Sequence, residues 1–164
     1  ERGLSFSKES IFLTPSTSDS YSYLFKLLTN PGDEVLTPSP GYPLFSYLSS
    51  MENLKEVHFP LVQGNSGWEY DVESILNFTS TKTKIICLVS PANPTGSKLS
   101  QNFWREWKES ECQIPILVDE VFYGFEGIRE DLTRHSIPTD TNFPLFILNG
   151  ISKMLCLPHW KLGW

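Results

Sequence analysis

Three features of the sequence predict an α/β fold with a mostly parallel sheet flanked by helices. The first is a set of unbroken apolar runs: "KIICLVS" ending at Ser90, "IPILVDE" carrying Asp119, and "FPLFILNG" ending at Gly150. Runs of this kind belong to strands covered on both faces. The second is helical spacing of apolar residues between those runs. The third is turn chemistry at the junctions, "NPGDE" from Asn30 and "PANPTG" after Ser90. Buried strands alternating with helices imply a largely parallel sheet.

The elements follow in order. Tyr21, Leu24, Phe25 and Leu28 recur at i, i+3, i+4 and i+7, so a helix is expected there, with cap-type residues Ser16, Thr17, Ser18 and Asp19 just before it. Val35 and Leu36 open a short strand after the "NPGDE" turn, and "PSPGYP" at 38–43 is a rigid loop. Tyr47, Leu48 and Met51 mark a second helix, and "KEVHFPL" a second strand. Asp71 caps a helix carrying Val72, Ile75 and Leu76, and Ser100 opens one carrying Phe103, Trp104 and Trp107. The sequence contains no internal repeat and no sign of a second domain.

Composition limits the function. The 164 residues are enough for one sizeable core, with 40% hydrophobic and 20% charged residues. A net charge of -6 argues against a nucleic-acid surface. No apolar run reaches the roughly 18 residues of a membrane span, and "ERGLSFSKES" has no apolar signal core. Cys87, Cys112 and Cys156 are odd in number and lack a C-x-x-C pair, so buried free thiols in a cytoplasmic protein are expected, not a disulfide framework or a zinc site. Asn77-Phe78-Thr79 fits the glycosylation tripeptide, which has no use without secretion.

Ligands of open parallel sheets bind outside the carboxyl ends of the strands. Polar clusters fall at three such ends: Asn93 after the first run, Asp119 in the second, Ser152 and Lys153 after the third. Each alone reads as a turn or a cap; the three in register point to a site. Gly96-Ser97-Lys98 lacks the residues of a P-loop, no G-x-G-x-x-G follows a strand, and there is no G-x-S-x-G elbow.

Four segments in order, "TNPGDEVLTPSPGYP", "SPANPTG", "VDEVFYGF" and "SKMLCLPHWKLGW", resemble the class I/II aminotransferases, pyridoxal-phosphate enzymes of fold type I, from about Ile11 to Trp164. The resemblance implies that residues 1–164 are part of a cofactor-binding large domain, with an N-terminal arm and a C-terminal small domain lying outside them. It also implies a role for each matching residue. Lys153 is the amine that holds the cofactor as a Schiff base and later moves the substrate proton, in apolar surroundings that lower its pKa. Asp119 faces the pyridine nitrogen and keeps it protonated. Asn93 donates to the phenolate oxygen, and Tyr42 stacks on the ring. Ser16, Thr17 and Ser18 offer backbone amides to the phosphate at a helix N-terminus, and Lys161 stands where the family usually has a phosphate-gripping arginine.

The sequence also departs from the family. Lysine at 161 replaces a bidentate fork with a point charge. Phe122 takes the place of a common tyrosine, with Tyr123 directed to the other side of an extended chain. Gly150 takes the place of a phosphate-binding serine, leaving Ser152 as the neighbouring hydroxyl, and Ser16 replaces a frequent glycine. The activity implied is amino transfer from an amino acid to a 2-oxo acid in a homodimer. A pyridoxal-phosphate lyase carrying out β-elimination and a degenerate, non-catalytic domain are the alternatives.

Overall fold

The structure, a computed structural model, describes residues 7–64, 67–125, 137–138 and 140–164. Five parallel strands form the central sheet: β1 (Glu34–Ser39), β2 (Lys55–Pro60), β5 (Thr83–Val89), β6 (Ile116–Asp119) and β7 (Leu145–Leu148), in the spatial order β2-β1-β5-β6-β7. A separate antiparallel pair, β3 (Val62–Gly64) and β4 (Gly67–Glu69), leads away from β2. The helices are α1 (Thr17–Leu28), α2 (Leu44–Met51), α3 (Val72–Asn77), α4 (Gln101–Glu109) and the short α5 (Ile151–Met154).

Side-chain alternation along the strands divides the core into two layers. Ile86 and Leu88 of β5 join Ile116 and Val118 of β6 beneath α3 and α4. Ile85, Cys87 and Val89 join Leu117 and Leu148 beneath α1 and α2. The expected apolar stripe of α4 fills its layer: Trp107 is fully buried, and Trp104 stacks on Phe143 with centroids 6.4 Å apart. Strand order turns back between β1 and β5, and α2 and α4, which follow these two strands, cover opposite faces. That turning point is where a doubly wound sheet opens a crevice.

Helix starts lie where cap chemistry places them. The side chains of Ser16, Asp71 and Ser100 accept from the amides of Asp19, Ser74 and Phe103. Some expectations need correction. In α2 the buried face is Phe45, Leu48 and Ser49, at i, i+3 and i+4, which leaves Tyr47 and Met51 on the solvent side. Only Cys87 is a buried thiol; Cys112 is half-buried and Cys156 exposed, although all three are free. The hairpin β3–β4 has no counterpart in the predicted elements, since each of its strands has three residues and little burial.

The last residues are stitched into the fold. Gly163 and Thr14 exchange backbone hydrogen bonds of 2.8 and 2.9 Å, Trp164 and Asn149 exchange two of 2.9 Å, and the Ile151 amide donates to the Leu162 carbonyl at 3.1 Å. A Cβ on Gly163 would lie 2.9 Å from the carbonyl carbon of Ser16 and 3.0 Å from the Thr17 nitrogen, so glycine is what lets the two backbones approach.

Candidate active site

Register aligns the strand ends. Asp119 sits opposite Val89 on one side and Leu148 on the other. The segments that follow these three positions therefore start from one level. They meet α1 and the loop before α2 around a cleft of about 140 Å³. Ser16, Thr17, Ser18, Tyr42, Asn93, Asp119, Ser152 and Lys153 all line it. Eight of the nine residues singled out in the sequence are thus brought together, from segments as far apart as Ser16 and Lys153.

Lys161 is the exception. It is exposed and outside the cleft wall, whereas its neighbour Leu162 lines it. Successive residues of an extended segment point to opposite sides, and the backbone pairing of Leu162 and Gly163 fixes which side faces in.

Asp119 forms the buried part of the wall, 4% exposed at the end of β6. Its side chain shares the parity of Leu117 and so points toward α1. The Val121 amide donates to Oδ1 at 2.9 Å, and the Tyr21 hydroxyl donates to Oδ2 at 3.0 Å. Burial pushes the carboxyl up to about 6, with the Val121 amide and Tyr21 hydroxyl pulling the other way. Among the described residues no cation pairs with it.

This shift has a thermodynamic sign. The unfolded chain releases the proton near the ordinary value of 3.8. Between there and about 6 the folded chain binds more protons than the unfolded one, so this group's contribution to stability falls as pH rises through that window. In cofactor-free protein, Asp119→Asn is therefore expected to raise stability at about pH 7.5 by about 1–3 kcal/mol, with the difference fading toward about pH 4. Denaturant midpoints of the two proteins at both pH values check this; an equal gap at both would contradict it.

The other residues form the rim. Ser16 caps α1 and also donates to the Asp19 carboxylate at 2.6 Å, so its own hydroxyl is engaged. The amides of Thr17 and Ser18, the first two residues of α1, lack partners within the helix and open at the cleft end of its dipole. Tyr42 is exposed and meets Phe45 edge-on at 6.3 Å. Asn93 is exposed in the loop after β5, where the Ser90-Pro91 and Asn93-Pro94 bonds are cis. Ser152 donates to the Trp160 carbonyl at 3.4 Å.

Lys153 is in α5 and its side chain is exposed, so the apolar enclosure expected around the amine is not supplied by these residues. Phe122 lines the cleft, as its place in the sequence suggested. The chain there is a turn and not extended, closed by the Tyr123 amide donating to the Glu120 carbonyl at 2.8 Å.

Tyr21 also lines the cleft and was absent from the sequence-predicted site. The available signal was chemical: a tyrosine on the apolar stripe of a helix needs a partner for its hydroxyl.

The whole chain, residues 1–164, matches the family model for aminotransferase class I and II. The chain belongs to this family. It is 30% identical over 158 residues to tyrosine aminotransferase of Mus musculus, covering 94% of this chain and 34% of that protein. It is also 30% identical over 159 residues to glutamate-pyruvate aminotransferase AlaA of Escherichia coli (strain K12), covering 95% and 38%. Alanine aminotransferase from Pyrococcus furiosus superposes with a TM-score of 0.85 at 27% identity, over 99% of this chain and 41% of that one. The chain thus spans about a third of the length of these curated relatives.

Class I and II aminotransferases are in general pyridoxal-phosphate enzymes, and the donor set here fits that group. A buried carboxylate without a cationic partner suits a basic ring nitrogen. Apolar Val89, Val121 and Phe122 suit a flat ring, unpaired helix amides suit a phosphate, and a primary amine suits an aldehyde. Among the described residues, no group of His, Cys, Asp and Glu could hold a metal ion, and no helix is long and apolar enough to cross a membrane.

Proposed function

We propose that this chain is the cofactor-binding part of a pyridoxal-phosphate aminotransferase that moves an amino group from an amino acid to a 2-oxo acid. The observation that carries the reading is one cleft wall combining the buried Asp119 carboxylate, the Lys153 amine and the open amides at the start of α1. When bound, the cofactor supplies an electron sink for the substrate's α-carbon.

The chain's own residues have the following parts. Lys153 Nζ would hold the cofactor at its aldehyde carbon and, with the substrate's own amine in that place, would move a proton at the substrate's α-carbon. Asp119 would supply the negative charge that keeps the ring nitrogen protonated. Asn93 would donate to the ring oxygen, Tyr42 would cover the ring, and the first turn of α1, with Ser152, would hold the phosphate. Lys161 has no part in this reading. A cytoplasmic homodimer is included in the proposal, supported by three free thiols and by exposed Ile11, Phe12 and Leu13, which offer an apolar surface to a second copy.

The test uses the full-length protein. Added pyridoxal phosphate should give visible absorbance, and borohydride should fix the cofactor on Lys153, as read by peptide mass mapping. Amino acid and 2-oxo acid should then exchange an amino group without ammonia release. Ammonia in place of a new amino acid would indicate β-elimination; no uptake of cofactor would indicate a degenerate domain.

A further inference from the structure

Tyr21 does more than fill the core. Its ring is 1% exposed and fixed between Phe25, at 6.1 Å, and Phe45, at 5.5 Å edge-on. Its hydroxyl crosses from α1 to β6, 98 residues away in sequence, to reach Asp119 Oδ2 at 3.0 Å. Phenylalanine would pack as well and spare the cost of desolvating a hydroxyl. What the hydroxyl adds is a hydrogen bond to a carboxylate, stronger than one between neutral groups.

The surroundings leave few other groups to hold that charge. Cys87 on β5 and Tyr70, ahead of α3, lie close enough to feel it, and burial pushes both upward, so they stay neutral and donate no charge. Glu120 is the next residue, and Lys153 is exposed across the same cleft. Tyr21 itself is held neutral by burial and by the Asp119 charge, so it remains a donor throughout the working pH range. Val121 and Tyr21 occupy one site on each carboxylate oxygen, and a carboxylate has about four, so a ligand N–H still finds a lone pair.

We propose that Tyr21 is a positioning residue of the active site, whose hydroxyl keeps the Asp119 carboxylate ionised and aimed into the cleft. Its consequence for turnover rests on the cofactor reading above; its effect on Asp119 does not.

The experiment separates the two. In cofactor-free full-length protein, NMR of isotope-labelled aspartate side chains follows the titration of Asp119. Tyr21→Phe should raise its midpoint by about one pH unit or more; an unchanged midpoint overturns the proposal. Should that variant not fold, the Tyr21 ring signal of the unsubstituted protein serves instead. It must move with the Asp119 midpoint, and a flat response overturns the proposal. In cofactor-loaded protein, Tyr21→Phe should lower kcat about twofold at about pH 7 and about fivefold at about pH 6 with KM little changed, and activity should recover as pH rises. A kcat–pH profile identical to the parent's overturns the positioning role. If the protein takes up no pyridoxal phosphate, the functional reading fails and the Asp119 titration still decides the role of Tyr21.

Discussion

Lys153→Ala in the full-length protein is expected to lower amino transfer by about 10⁴-fold, the upper end of what a lost proton-transferring group costs. Lys153 is the one amine in the cleft wall among the described residues. No other side chain there can bond an aldehyde and afterwards carry a proton at the same place. Ser152 and Tyr42 carry hydroxyls, which form no imine, and Lys161 is exposed outside the cleft wall. The variant should still take up pyridoxal phosphate through the α1 amides and Asp119, but borohydride should no longer fix it to the chain. A small added amine should restore part of the rate. Turnover within about tenfold of the parent would remove Lys153 from its assigned place.

Asp119→Ala should be nearly as damaging to turnover and far less so to binding. The substitution removes the only acid in the cleft wall among the described residues. It leaves Lys153, the apolar lining and the open amides of α1 in place. The expected loss in kcat is about 10³-fold, comparable with losing a fixed electrostatic partner of the developing charge. The cofactor's visible absorbance should persist, with its pH dependence altered. Near-normal turnover would show that Asp119 has no such role. The gain in stability expected for cofactor-free Asp119→Asn is not expected for alanine, which leaves the Val121 amide and the buried Tyr21 hydroxyl without their acceptor. In Asp119→Asn, loss of activity together with a gain of stability at about pH 7.5 is a combination that damage to the fold would not produce.

Much of this arrangement can be read from the sequence because its signals are local. The run around Ile85–Val89 announces a strand buried on both faces, and Ser16, Asp71 and Ser100 announce helix starts through side chains that reach only three residues ahead. Asn93, Asp119 and Lys153 could be assigned to one site because a parallel sheet places consecutive strand ends side by side. What the sequence concealed depends on partners far along the chain. Nothing near Tyr21 specifies that its hydroxyl meets Asp119. The outward turn of Lys161 follows from the pairing of Leu162 with Ile151 and of Gly163 with Thr14. Periodicity grouped Tyr47 and Met51 with Leu48, but it could not say how much of that helix face the sheet would cover.

The pairing of Gly163 with Thr14 also sets an order of assembly. A ribosome delivers Thr14 and the start of α1 well before Gly163, which emerges after β1, β2, β5, β6 and β7. A nascent chain can therefore begin to build its layers while the mouth beside α1 still lacks one wall, and the amides of Thr17 and Ser18 stay open to water until residues 162–164 pair with Thr14 and Asn149. Completion of the cleft mouth thus waits on a residue that has no side chain.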